Sequence, residues 1–357
     1  MKIERVEISG LWGHFDIDWT LNKQVTILSG INGSGKSTIL RAMASLLGGK
    51  SLPLDIANRI STVRIIFDSG IGLNLIVEEG DLNSINSRSK NSSSENKYFS
   101  EMKNIYSKSI DDFKEISSVG PTIRYLSGTG DEPVDINSFV KRLNFSYIST
   151  FDTAPERPAD PKVYMEYLLN SSYSELDRHL ERIVDRYKTY QIELSTRVTK
   201  MMSEMSPDAD SKDALVDIKE LMSKRVILQD ILDELMQESG KHINRDKGDV
   251  EFIFNSDKSS HSYKDLSAGE KQLLLILLTV FMQEGRDAIL IMDEPEISLH
   301  VDWQRRLLDV VTRLNPNCQV IVSTHSPAML LNGWHAAVDN ISDLAKQEIE
   351  EDGNESD

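Results

Sequence analysis

Gly30-Ile31-Asn32-Gly33-Ser34-Gly35-Lys36-Ser37 is the stretch on which the fold turns. Glycines at this spacing let backbone N–H groups converge on phosphate oxygens with no Cβ in the way. Lys36 supplies a point charge for β- and γ-phosphates, and the Ser37 hydroxyl is of the kind that ligates Mg²⁺. Asn32, Gly33, Ser34, Gly35 and Thr38 complete the set of candidate phosphate-binding residues. Before this turn, residues 25–28 form a short apolar strand. After it, residues 36–47 read as a helix ended by Gly48 and Gly49, whose first turn presents the positive end of its dipole to an anion. Strand, glycine-rich turn and helix in succession is the context a phosphate loop requires.

Working outward, residues 2–9 and 14–20 read as antiparallel strands. In the second, Phe15, Ile17 and Trp19 alternate with Asp16 and Asp18, as a half-buried sheet demands. Residues 63–67 and 73–77 form a hairpin around Gly70, and residues 83–97, rich in Ser and Asn, read as a loop. Residues 145–149 are a further strand, and beyond Pro155, Pro158 and Pro161 the pattern turns helical. Leu176, Leu180, Ile183, Tyr187, Tyr190, Leu194, Val198, Met201 and Met205 recur at alternating steps of four and three with one irregular step, which is a heptad-like seam. A turn at 206–211 leads to a second amphipathic helix, 215–236, carrying Ile218, Leu221, Leu228, Leu232 and Leu235. Two arrangements fit this pair: a projecting antiparallel hairpin, or two helices packed on the core. Residues 288–292 and 319–323 are continuous apolar strands separated by a helix at 302–314, the pattern of buried parallel strands. The acidic segment from Asp343 reads as a disordered tail.

Composition narrows the setting. The chain has 357 residues and 39% hydrophobic content, enough for a substantial core. Its net charge of −17 argues against general attraction to nucleic acid, although a local basic patch is compatible with it. The single cysteine, Cys318, falls in a buried strand and supports neither a disulfide framework nor a thiolate metal site, which suits a cytoplasmic location. No uncharged apolar run approaches bilayer length, and Lys2, Glu4, Arg5 and Glu7 stand where a signal peptide would be apolar, so neither membrane spanning nor secretion is expected.

Three further motifs carry chemistry. Asp293 and Glu294 close the apolar strand 288–292, at the end where an α/β sheet places its ligand crevice. Asp293 is a candidate for holding Mg²⁺, directly or through water, and Glu294 for polarising an attacking water. Leu266-Ser267-Ala268-Gly269-Glu270 precedes a strongly apolar helix, so Ser267, Gly269 and Glu270 stand at a helix N-terminus as a second phosphate-facing surface. One chain does not readily close both surfaces on one γ-phosphate, which implies a second copy supplying Ser267 and Gly269. His325 follows the strand 319–323 as a candidate neutral donor to a γ-phosphate.

In this order and spacing, the motifs closely resemble those of ABC-type ATPases. Residues 30–37 resemble Walker A, 266–270 the signature, 288–294 Walker B, 295–300 the D-loop, and His325 the switch histidine. Asn32-Gly33, the run Asp293-Glu294-Pro295-Glu296-Ile297-Ser298-Leu299-His300 and Ser323-Thr324-His325-Ser326-Pro327 resemble the soluble SMC/RecF and OLD-like class, AAA-family ATPases of the kind found in antiphage defence. The resemblance implies an α/β P-loop NTPase of ABC type, with a mostly parallel central sheet, an antiparallel N-terminal β subdomain and a helical hairpin insertion. The domains expected are an ATPase lobe at 1–160, the insertion at 161–241, a second lobe at 242–342 and the tail at 343–357. The ligands implied are ATP and Mg²⁺, with a homodimer or higher homo-oligomer as the working unit. A separate effector such as a nuclease is the implied partner, and DNA is a further candidate.

Two departures stand out. No glutamine follows strand 145–149 where the family places its Q-loop, which leaves Asp152 as a weak substitute. The sequence continues only briefly past His325, so the TOPRIM nuclease domain of OLD proteins is not expected in it. The basic residues Arg178, Arg182, Arg186, Lys188, Arg197 and Lys200 offer a nucleic-acid contact, but the acids interleaved with them favour the reading of a solvated face. The functions in competition are a switch for DNA repair or antiphage defence, the ATPase subunit of an ABC transporter, and a nucleotide-dependent scaffold with negligible turnover. Transporter subunits usually open the signature helix with Gln and Arg and end the D-loop in Leu-Asp. This chain instead has Glu270-Lys271-Gln272 and Leu299-His300.

Overall fold

A computed structural model describes residues 1–50, 52–77, 114–116, 121–128, 135–149, 174–204, 211–330 and 333–347. The loop expected at 83–97, the prolines 155, 158 and 161, Asp152, most of the turn at 206–211, and the residues after 347 lie outside this set. The chain divides into two compact units. One combines Met1–Phe145 with Ala337–Asp357, and the other is Ser146–Ala336.

The first unit is built on a seven-stranded antiparallel sheet. Its order is Ala345–Gln347, Phe15–Thr20, Ile3–Leu11, Thr62–Phe67, Gly72–Val77, Pro121–Ser127 and Lys114–Ile116. The alternation seen in the sequence is met on this sheet: Ile17 and Trp19 are buried while Asp16 and Asp18 are partly exposed. The expected hairpin around Gly70 is present, with Val63 opposite Leu75. A second structural layer is a parallel pair, Val25–Ser29 beside Val338–Asn340. Trp19 is fully buried and donates its indole N–H to the Asp339 carboxylate at 2.8 Å, tying the returning strand to the sheet. The expectation of disorder from Asp343 onward needs correction here. Asp343 lies in the helical turn Ile341–Leu344, capped by Asn340, and Ala345–Gln347 pairs antiparallel with Phe15–Thr20. Backbone pairing at a sheet edge outweighs the polarity of this segment.

In the second unit, helix Ala268–Phe281 is buried almost all round, Leu273 through Leu278 included. That accounts for its unbroken apolar sequence. Strands Ala288–Asp293 and Cys318–Ser323 are buried at every position and run parallel in register from Ala288–Cys318 to Asp293–Ser323. The connecting helix Val301–Leu314 buries Leu307, Leu308, Val310 and Val311.

The two long helices are Glu175–Glu204 and Ser211–Met236. Leu180, Ile183, Val184, Tyr187 and Leu194 of the first are buried, and Tyr187 and Tyr190 set their rings edge-on to Phe281 at centroid distances of 5.5 and 5.3 Å. Lys271 reaches Asp177 at 2.8 Å, and Lys264 reaches Glu181 at 3.0 Å. In the second helix Leu228 through Met236 supply the buried face, and the Leu235 carbonyl accepts the Trp303 indole N–H. The two arrangements left open by the sequence therefore divide along the helices' length. Residues around 180–194 and 228–236 pack on the core, whereas Met202, Val216 and Met222 are exposed. Between the long helices and the helix opened by Ser267 lies a small antiparallel sheet of Lys241–Ile243, Glu251–Phe254 and Ser260–Ser262, which the sequence reading did not contain.

Candidate functional site

In the first unit the phosphate-loop residues stand between strand Val25–Ser29 and helix Lys36–Leu47, as the sequence predicts. Gly33 and Gly35 have φ of 79° and 102°, left-handed values that a residue with a Cβ rarely adopts. Gly35 is the residue from which the helix starts. Ile31, Asn32 and Gly33 are exposed at the tip, and Ser37 and Thr38 are half-buried in the first helical turn. Lys36 is buried, and its ammonium donates to the carbonyls of Gly30 at 3.0 Å and Ile31 at 3.1 Å. The cation is thus drawn across the loop that the glycines shape.

Trp12 was not anticipated by sequence reasoning. It sits in the turn after strand Ile3–Leu11 at φ 59°, and its Nε1 lies 3.0 Å from where a Cβ on residue 35 would stand. Its backbone N–H donates to the Arg59 carbonyl, and the Arg59 guanidinium rests 4.7 Å from the ring centroid. Trp12-Gly13 at a strand end was the available signal, but nothing in the sequence placed it beside residue 35.

The second unit assembles the acidic and histidine motifs. Asp293 ends its strand with 1% of its surface exposed, and the Ser323 hydroxyl of the neighbouring strand donates to its Oδ1 at 2.5 Å. Glu294 leaves the strand at φ 48°, its N–H shared between the Ser323 carbonyl at 3.1 Å and the Ser323 hydroxyl at 3.2 Å. A non-glycine residue in the left-handed region is strained, and here the neighbouring strand end holds it in place. The result is that Glu294 Oε1 faces His325 Nε2 at 3.5 Å. Two adjacent parallel strands therefore bring these two candidates together at their carboxyl ends.

The Ser267 region is more divided than expected. Ser267 and Ala268 are exposed at the helix start, but Gly269 and Glu270 are buried. Ser267 and Glu270 form a reciprocal capping box, and both Glu270 oxygens accept from the Lys241 ammonium at 2.7 Å. Burial alone would raise the Glu270 carboxyl. The hydrogen bonds from Lys241 and from Ser267 outweigh it and hold the group below the ordinary glutamate range. The Glu270 carboxylate is thus committed inside the chain, leaving Ser267 as the outward polar group. Gly269 abuts the Ser298 carbonyl so closely that a Cβ would collide with it. Of the basic residues on the long helix, Arg178 pairs with Glu175 and Lys188 with Asp249, at 2.8 and 3.4 Å.

The donor set fits a magnesium nucleotide. In the first unit three glycines, a buried lysine and a helix N-terminus suit a triphosphate, and Ser37 offers a hard oxygen of the kind Mg²⁺ prefers; in the second unit Asp293 offers another. Among the described residues no helix is long and apolar enough to cross a membrane.

Comparison with known proteins agrees with this chemistry. A crystal structure of an Smc head bound to the C-terminal winged-helix domain of ScpA matches 93% of this chain and 92% of its own, at a TM-score of 0.51 and 15% identity. At that identity the likeness speaks for the fold alone, an α/β fold of the SMC-head kind. Residues 25–331 match the family described as "AAA domain, putative AbiEii toxin, Type IV TA system", and the chain belongs to that family. Two curated relatives match shorter stretches. A probable metal transport system ATP-binding protein of Chlamydia pneumoniae is 30% identical over 106 residues, 29% of this chain and 42% of that protein. An uncharacterized protein of Dictyostelium discoideum is 33% identical over 85 residues, 22% of this chain and 11% of that protein. The chain therefore matches less than half the length of either.

Proposed function

We propose that this protein is an ATP-hydrolysing switch that dimerises around ATP and drives a separate effector, such as a nuclease, in antiphage defence or DNA repair. The loop from Gly30 to Ser37 grips the triphosphate, with Lys36 turning from its loop carbonyls to the β- and γ-phosphates. Ser37 and Asp293 are the residues that would hold Mg²⁺, and the ion would supply charge neutralisation at the phosphate oxygens. Glu294 accepts a proton from the attacking water, and His325 donates to the γ-phosphate. Ser267 and Gly269 of a second copy complete the enclosure. DNA is a candidate ligand of the assembly, and the cytoplasm is its setting.

The observation that carries the hydrolytic reading is the 3.5 Å approach of Glu294 to His325 at two adjacent strand ends. Exposure of Ser267, beside a Glu270 turned inward, supports presentation to a second copy. The family's description as part of a toxin–antitoxin system supports a defence role with a protein counterpart. The partial likeness to a metal-transport ATP-binding protein favours a second reading, the ATPase subunit of a transporter. The sequence Leu299-His300 at the end of the D-loop-like run speaks against it.

The test is the Glu294→Gln protein purified from its host with ATP and Mg²⁺. Trapped dimer with turnover abolished, co-eluting with a nuclease or DNA-processing protein, is the expected result. A strictly monomeric ATP-bound species overturns the dimer, and a co-eluting permease replaces the effector reading with transport. Unchanged biological function in this variant favours the scaffold.

A further inference from the structure

Glu296 is the one acidic residue of the run Asp293-Glu294-Pro295-Glu296 to which no role has been assigned above. Its side chain is nine-tenths buried, with 9% exposed. Its Oε1 accepts the Thr324 hydroxyl at 2.5 Å, the His325 N–H at 2.7 Å and the Ser326 N–H at 3.2 Å. Donors from three consecutive residues of the histidine turn thus converge on one oxygen. Its Oε2 is buried and finds no hydrogen-bond partner among the described residues.

The opposite side of the junction is closed by Gln304, from the following helix. Its amide donates to the carbonyls of Glu296 at 3.3 Å and Leu299 at 2.9 Å, and its Oε1 accepts the Ser326 hydroxyl at 2.6 Å. Glu296 also stands midway between two strained residues, Glu294 at φ 48° and Ser298 at φ 73°. The Ser298 carbonyl is in turn packed against Gly269. The histidine turn is therefore fastened to the Glu296 carboxylate, and the start of the Ser267 helix rests on the same strained turn two residues further on, at Ser298.

Burying a carboxylate costs desolvation energy, and a bare second oxygen leaves part of that cost unrecovered. Packing alone would be served better by an apolar side chain. The service this charge performs is to fix the His325 backbone while leaving its imidazole to face Glu294. We propose that Glu296 is a positioning residue for hydrolysis: it transmits the seating of the 296–299 turn to the placement of His325 opposite Glu294. This rests on the hydrolytic reading given above.

Glutamine is a demanding replacement here. Turned one way, its NH₂ meets three donors; turned the other, its NH₂ is buried without an acceptor. The experiment is a double-mutant cycle in the full chain, measuring kcat and KM for ATP with Mg²⁺ and the melting temperature of each variant. Glu296→Gln is expected to lower kcat about 30-fold with KM changed less than about twofold, because misplacement rather than lost binding is the defect. In a His325→Ala background the same change is expected to cost less than about twofold, since the group it positions is gone. Equal losses in both backgrounds, or a defect confined to KM, overturn the proposal. If Glu296→Gln does not fold, Thr324→Val removes one donor and keeps the charge. It is expected to show the same non-additivity with a kcat loss of about threefold, and additivity there overturns the proposal as well. Absence of turnover in the wild-type chain is a different result, which removes the hydrolytic reading and this proposal with it.

Discussion

Gly269 and Ser298 touch backbone to backbone: the Ser298 carbonyl occupies the space a side chain at 269 would need, with Trp303 beside it. The helix opened by Ser267 and the strained turn after Glu294 are thereby seated on one another. A helical glycine replaced by alanine ordinarily gains about 1 kcal/mol of helix propensity. Here the added methyl would collide with a backbone carbonyl, and overpacking of this kind costs about 1–3 kcal/mol. Gly269→Ala is therefore expected to destabilise the protein on balance in urea unfolding and to reduce ATP turnover. A more stable, fully active Gly269→Ala protein would show that the turn yields freely.

Ser323 serves both acidic candidates at once, donating its hydroxyl to Asp293 and accepting the Glu294 N–H. Removing a group that orients a metal-ligating carboxylate typically weakens metal binding about 10–100-fold. Ser323→Ala is accordingly expected to raise the Mg²⁺ concentration for half-maximal turnover at least about tenfold. The check is a Mg²⁺ titration at saturating ATP, in which an unchanged midpoint would remove Asp293 from the metal site.

Acid should loosen the second unit through two carboxylates. Glu270 and Asp177 are both buried enough that desolvation pushes their pKa values up. Lys241 and Ser267 for the first, and Lys271 and Ser174 for the second, pull them below the ordinary range. A carboxyl depressed in the folded state adds stability in full above its unfolded pKa, about 4, and loses it as pH falls through the folded value. Unfolding free energy is thus expected to fall from pH 5 toward pH 2, and Asp177→Asn should flatten part of that slope. Lys241→Met strands the Glu270 charge, which is only 2% exposed, and is expected to cost about 2–4 kcal/mol at neutral pH. Thermal and urea melts across the pH series decide both points.

Trp12 is placed to report on the phosphate loop, because its indole edge stands at Gly35. Adding ATP with Mg²⁺ is expected to change intrinsic fluorescence, and Trp12→Phe is expected to abolish most of the change while the chain's other three tryptophans remain. A response that persists undiminished in Trp12→Phe would place the signal elsewhere.

The parts legible in the sequence are those whose physics is local. The helix Lys36–Leu47 was bounded by its glycines, and the fully buried parallel strands by their unbroken apolar runs. The seam on the long helix was legible because one face is buried from Leu180 to Leu194. The strands Lys241–Ile243 and Ser260–Ser262 were not legible, since three residues of mixed polarity carry no alternation to read. Ala345–Gln347 looked like tail because its stabilisation is backbone pairing to Phe15–Thr20, which leaves no mark on side-chain composition. At the site, residue types at 293, 294 and 325 were informative, but side-chain direction was not. The Glu270 carboxylate turns to Lys241, a direction the residue type does not reveal, and Glu296 carries no local signal because its partners lie about thirty residues further on.

Val338–Asn340 completes the parallel pair beside the strand that carries the phosphate loop, yet it lies on the far side of the whole second unit in the chain. During synthesis, the ribosome releases Ser146–Ala336 before the partner of Val25–Ser29 exists. The second unit can therefore mature first, while the loop-bearing strand waits with one edge open for Val338–Asn340 to emerge.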